Sequence, residues 1–134
     1  MADPRIPTEA QEQFALFRWA AYEAGRWPEL HLLYHIPNEG KRSVVTGGRM
    51  RQEGLKKGVP DICLPVARGP YHALYIELKR TKGSKTSPEQ KAWIAALRAE
   101  GCRAEICMGW DAAREVITEY LEERTGTDGN NDKV

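Results

Sequence analysis

From Thr8 to Gly25 the apolar side chains Phe14, Leu16, Phe17, Ala20 and Ala21 return at helical spacing and predict an amphipathic helix that faces a core. Thr8-Glu-Ala-Gln11 has the form of a capping box at its start, and Gly25 marks its end. A short apolar run over 30–36 predicts a strand that closes on the turn Pro37-Asn-Glu-Gly40. A basic stretch containing Gly47-Gly48 follows, and residues 49–57 predict a short helix closed by Gly58. Two apolar runs, 61–66 and 71–79, predict strands, and the Ala67-Arg-Gly-Pro70 connection is short enough for a hairpin. Residues 81–86 form a polar loop. Ser87-Pro-Glu-Gln90 combines an N-cap serine, a proline at the first helical position and a glutamine three after the cap, so a helix runs from there to Glu100 and stops at Gly101. A strand over 103–108 and a final helix capped by Asp111, with the stripe Ala113, Val116, Ile117, Tyr120 and Leu121, complete the pattern.

A strand-helix-strand crossover makes the last two strands parallel, and the hairpin makes the earlier pair antiparallel. The fold class is therefore α/β: a small mixed sheet flanked by helices. With 134 residues the chain is one domain, expected over 8–124, preceded by a loose arm over 1–7. The polar tail over 125–134 has no apolar anchor and is expected to be disordered. No apolar stretch is long enough to span a bilayer and nothing resembles a signal peptide, which leads to a cytoplasmic expectation and no membrane. Cys63, Cys102 and Cys107 are odd in number and form no C-x-x-C pair, which fits free thiols in a reducing compartment.

The net charge of +1 says less than its distribution. Positive charge gathers at Lys41, Arg42, Arg49, Arg51, Lys56 and Lys57, and again at Lys79, Arg80, Lys82, Lys85 and Lys91. These two segments flank the residues with the strongest chemical signal. Glu77 and Lys79 lie two apart in a strand and so project to one face. Asp61 opens the preceding strand and converges on Glu77 if the two strands are neighbours. Two carboxylates suit a hard divalent cation that keeps its other positions for water and phosphate, and an adjacent ammonium stabilises developing negative charge. The layout reads as phosphodiester hydrolysis, with the basic segments gripping backbone phosphates.

Other readings compete for the same residues. Asp61 could cap backbone amides in a turn, and Glu77 with Lys79 could be a plain cross-strand ion pair. A carboxylate among Tyr75, Ile76 and Leu78, however, needs a partner to offset its burial. His31, His35 and His72 read as structural or surface residues. Trp19, Trp27, Trp93 and Trp110 read as core residues ahead of base-stacking platforms, with Trp27 the one to test.

In this order and spacing, Glu9-x-x-x-Gln13, Pro37-Asn38, Gly58-Val-Pro-Asp61, Glu77-Leu-Lys79 and Ser87-Pro-Glu-Gln90 with Trp93 resemble the PD-(D/E)xK nuclease fold. More narrowly, they resemble the VRR-NUC family in its small, stand-alone, phage type, over roughly residues 8–119. The resemblance implies that Asp61 and Glu77 ligate Mg²⁺, with Mn²⁺ as a substitute, and that Lys79 supports the attacking water. It also implies that Gln90 orients Lys79 or a phosphate, and that an acid of the first helix completes the metal site. Glu9 matches the family spacing, and Glu12, near the same helical face, is the alternative. Glu39 departs from the family pattern, in which a second glycine often follows Pro37-Asn38. Lys41, Arg42, Arg49, Arg51, Lys56, Lys57, Arg80, Lys82 and Lys85 are the expected DNA contacts. By the same resemblance the protein is a homodimeric, metal-dependent endonuclease selective for branched DNA such as a Holliday junction. The rivals are a non-cleaving module that binds DNA branches or ends, and a sequence-specific restriction-type enzyme.

Overall fold

The computed structural model describes residues 3–37 and 52–124. Helix α1 spans Glu9–Glu23 and opens with the expected capping box: the Thr8 hydroxyl accepts the Gln11 N–H at 3.1 Å, and Gln11 accepts the Thr8 N–H at 2.8 Å. Its buried stripe is Glu12, Leu16, Ala20 and then Ala24, one residue every four. This stripe is narrower than the periodicity predicted. Phe14, expected in the core, is 66% exposed, and Ala21 is exposed as well. Each lies off the line that meets the sheet, and that line is taken by a glutamate, a leucine and two small alanines.

The predicted strand over 30–36 is mostly something else. Pro28–Leu32 is a 3₁₀ helix, and only Tyr34–His35 forms strand β1. Leu30 and Leu33 point inward three residues apart, as a 3₁₀ turn requires, with Leu32 and Tyr34 left outside. The turn over 37–40 falls largely outside the described residues. Of the helix predicted over 49–57, residues 49–51 lie outside the described residues and Gln52 is helical; the chain turns at Glu53–Gly54, where Gly54, with φ +109°, keeps the helix from running on to Lys57.

Strands β2 (Ile62–Leu64) and β3 (Leu74–Lys79) pair antiparallel, with Ile62 opposite Ile76 and Leu64 opposite Leu74. The hairpin is tightened by mutual backbone hydrogen bonds between Arg68 and Tyr71. Helix α2 (Pro88–Ala99) crosses over to β4 (Arg103–Met108), which runs parallel to β3, and α3 (Trp110–Glu122) follows. The sheet order is β1-β2-β3-β4, a small mixed sheet as expected. Ile62, Leu64, Leu74, Ile76, Leu78 and Cys107 meet Leu16 and Ala20 of α1 and Ala113, Ile117, Tyr120 and Leu121 of α3 in a single core. The predicted stripe of the last helix is thus the one that packs. Its cap is not: Gly109 holds the N-cap position, and Asp111 sits in the first turn paired with Arg114.

Candidate active site

Alternation along β3 sends Leu74, Ile76 and Leu78 into that core and leaves Tyr75, Glu77 and Lys79 on the opposite face, under α2. Glu77 is 2% exposed and Lys79 5%. Both are tied to Gln90 in the first turn of α2. The Lys79 ammonium donates to Gln90 Oε1 at 2.9 Å, and Gln90 Nε2 donates to Glu77 Oε2 at 3.1 Å. Lys79 Nζ also lies 3.5 Å from Glu77 Oε2. Gln90 is itself held by the capping box of α2: its Oε1 accepts the Ser87 N–H at 2.9 Å, and its own N–H reaches the Ser87 hydroxyl at 3.1 Å. The sequence signal that starts the helix therefore also fixes the side chain that organises the site.

Asp61 stands immediately before β2, one step past the Ile62–Ile76 pair, so the antiparallel register carries it to Glu77. Its Oδ2 accepts the Leu78 N–H at 2.9 Å, across the strand. Its carbonyl is held from the other side by the Ile36 N–H at 2.6 Å and by His35 Nδ1 at 2.9 Å. Gly58 explains the approach of this segment. With φ +90°, it lies so close to α2 that a Cβ would sit 2.7 Å from the Glu89 backbone, and only glycine lets residues 58–61 pass there. Trp93 Nε1 donates to the Lys57 carbonyl at 3.1 Å and clamps the same junction.

The electrostatics are strained in a way that suits a cation. Burial first, then the Asp61 carboxylate and a hydrogen bond to it, push Glu77 up to about 8, against the downward pull of Lys79. Glu77 Oε1 is buried with no hydrogen-bond partner, and an orphaned buried oxygen is costly unless something fills its coordination. Two adjacent carboxylates, one with a free oxygen, fit a hard divalent ion that takes its remaining ligands from water and phosphate.

The acids of α1 are placed differently. Glu9 accepts the Ser84 hydroxyl at 3.2 Å, and Ser84 in turn accepts the Arg80 N–H at 3.2 Å. Glu12 is 4% exposed and accepts the Trp110 N–H at 3.0 Å. Neither is brought into a common cluster with Asp61 and Glu77: among the described residues, no group of three His, Cys, Asp or Glu side chains is arranged to hold a metal ion.

Of the expected DNA contacts, Lys41, Arg42, Arg49 and Arg51 lie outside the described residues. Lys56, Lys57, Lys82 and Lys85 are exposed. The Gly58–Glu89 and Trp93–Lys57 contacts bring the first two to the same end of α2 that Lys82 and Lys85 precede in the chain. Arg80 is partly committed elsewhere, since its guanidinium donates to the Ile6 and Pro7 carbonyls. His31 and His72 are exposed, as expected. One supporting residue escaped sequence reasoning: Ser84 lies in a polar loop with no motif around it. His35, read as structural or surface, is exposed and holds the Asp61 carbonyl, a partner that no spacing reveals.

A family model described as the VRR-NUC domain matches residues 8–111. A solved structure described as a VRR_NUC domain protein superposes with a TM-score of 0.77 at 29% sequence identity, covering 89% of this chain and 92% of that one. None of the curated proteins compared with the chain matches it. Among the described residues, no helix is long and apolar enough to cross a membrane.

Proposed function

From the premise that this chain belongs to the VRR-NUC nuclease family, with a match over residues 8–111, we propose that it is a metal-dependent endonuclease that hydrolyses phosphodiester bonds in branched DNA. The observation that carries the reading is the buried pair Asp61 and Glu77, with an unpartnered Glu77 oxygen and the Lys79 ammonium beside it.

Asp61 and Glu77 would hold Mg²⁺ or Mn²⁺, which when bound supplies an acidified water and offsets charge on the scissile phosphate. The remaining tasks fall to the chain itself. Lys79 is held at 2.9 Å by Gln90, so its ammonium meets the developing phosphorane charge without first reorganising. Gln90 bonds both the Glu77 carboxylate and the Lys79 ammonium, which pair at 3.5 Å, and so holds Lys79 where it can orient the attacking water. Glu9, which among the described residues accepts the Ser84 hydroxyl, remains the α1 acid proposed to complete the ligand set. Exposed Lys56, Lys57, Lys82 and Lys85, with the basic residues between 41 and 51, would grip backbone phosphates and give cleavage a steep salt dependence with little base readout. A homodimer would present two sites to a symmetric four-way junction.

The test is a panel of four-way junction, flap, splayed arm and plain duplex, incubated with and without Mg²⁺, for the wild type and Asp61→Asn. Branched substrates are expected to be cut in Mg²⁺ by the wild type alone, with the variant still binding them. Full activity of Asp61→Asn rejects the assigned site. Binding without cleavage in any divalent metal favours a non-cutting module, and fixed cuts in plain duplex favour a restriction-type enzyme.

A further inference from the structure

Glu12 occupies a position on the buried stripe of α1 where the neighbouring turns carry leucine and alanine. A carboxylate at 4% exposure needs a reason, and the start of α3 supplies it. That helix has no side-chain cap of its own: its N-cap is Gly109, and Asp111 is turned to Arg114 at 2.8 Å. Glu12, 98 residues away in sequence, accepts the Trp110 N–H at 3.0 Å. It thereby satisfies one of the free amides of the first turn and faces the positive end of the helix.

The capped turn touches the active site through the backbone. Gly109 donates its N–H to the Lys79 carbonyl at 2.8 Å. It takes φ +88°, and a Cβ there would lie 2.8 Å from Thr81 Cγ2 and 3.7 and 3.8 Å from the two Glu12 oxygens. Glu12, Gly109, Thr81 and the end of β3 thus form one tightly packed junction, and Lys79 is the last residue of the strand it terminates.

We propose that Glu12 is a positioning residue and not a metal ligand: by capping α3 from α1 it fixes the Gly109 turn and, through that turn, the strand end from which Lys79 reaches Gln90 and Glu77. The catalytic consequence rests on the nuclease reading above; the positional one does not. Glutamine at position 12 keeps an acceptor oxygen for the Trp110 N–H, and alanine removes it.

The experiment compares wild type, Glu12→Gln and Glu12→Ala by hydrogen exchange at the Trp110 amide, the side-chain amide resonances of Gln90, Mn²⁺ affinity, and kcat and KM on branched DNA. If Glu12→Ala does not fold, Glu12→Met, which keeps the volume without an oxygen, takes its place. In Glu12→Ala the Trp110 amide is expected to exchange faster, the Gln90 resonances to move, and kcat to fall about 10- to 100-fold, the range seen for supporting residues around a metal centre. KM and Mn²⁺ affinity stay near wild type, and Glu12→Gln restores all of them. Loss of Mn²⁺ affinity in Glu12→Gln, comparable to that in Asp61→Asn, makes Glu12 a ligand and overturns the proposal. Unmoved Gln90 resonances in Glu12→Ala, or a kcat equal to wild type, also overturn it. If the wild type cuts no DNA, the nuclease reading fails separately, and the Trp110 and Gln90 signals alone decide the role of Glu12.

Discussion

Leu74, Ile76 and Leu78 look one way from β3, into the layer of α1 and α3; Tyr75, Glu77 and Lys79 look the other way, toward α2. Both sides are dry, since Ile76 is 0% and Glu77 2% exposed, yet they are dry for opposite reasons. On the first side, burial is itself favourable and the side chains that meet Leu74, Ile76 and Leu78 are mostly apolar, among them Leu16, Ala20, Ala113 and Ile117. On the second, it is opposed by two carboxylates and an ammonium, and the hydrogen bonds from Gln90 and Leu78 offset only part of the cost, leaving Glu77 Oε1 orphaned. One face stores stability; the other gives some up to keep a site ready for a charged ligand.

Substitutions that exchange the logic of the two faces test the contrast. The largest effect is expected from Glu77→Gln, which removes a buried charge-bearing group. Cleavage should fall by about 10³-fold or more, as when a principal group that stabilises transition-state charge is lost, and the metal-free protein should melt higher than wild type. Cleavage assays and a melting curve in EDTA check both halves; a lower melting point would show that the polar face is not a strained one. Ile76→Ala, one residue earlier and facing the other way, should do the reverse. We expect a loss of about 2–5 kcal/mol in urea unfolding from the cavity it leaves, with kcat near wild type in the fraction that remains folded.

Gln90→Ala probes the connection between the two charged side chains and should lower kcat about 10- to 100-fold, with smaller effects on DNA binding. A fall in DNA affinity at unchanged kcat would move Gln90 from positioning to phosphate recognition. The pH response follows from Glu77, whose carboxyl is held up to about 8 against an ordinary 4.5. The metal-free fold binds this proton more tightly than the unfolded chain does. The stability it contributes is therefore complete below pH about 4.5, declines as pH rises toward 8, and levels off beyond. Thermal melts in EDTA across that window should show the decline, and Mg²⁺ should oppose it most strongly at the alkaline end. The smallest effect is expected at Phe14→Ala: at 66% exposure the ring packs on little, and the change in stability should stay within about 0.5 kcal/mol.

The same contrast explains what could be read in advance. Period-two alternation in β3 and the cap at Ser87-Pro-Glu-Gln90 are local signals, and each leads directly to a site residue. The pairing of Asp61 with Glu77 followed from a hairpin of readable length. The run over 30–36 misled because apolar composition does not separate a strand from a 3₁₀ turn; the informative detail was Pro28 at its start and the spacing of Leu30 and Leu33. The cap of α3 was misplaced on Asp111 because the true partner is Glu12, which no local window contains. Helical periodicity put Phe14 inside and could not distinguish a glutamate held by a distant amide from one facing solvent. Sequence thus revealed the residues that make contacts along their own element, and concealed those whose partner comes from another.

The central claim is that Asp61 and Glu77 share one divalent ion, and calorimetric titration of Mn²⁺ into the wild type, Asp61→Asn and Glu77→Gln addresses it most directly. Binding by the wild type, with protons released between pH 6 and 8 and with affinity lost in either variant, is the predicted result. Equal Mn²⁺ affinity in all three proteins would contradict it.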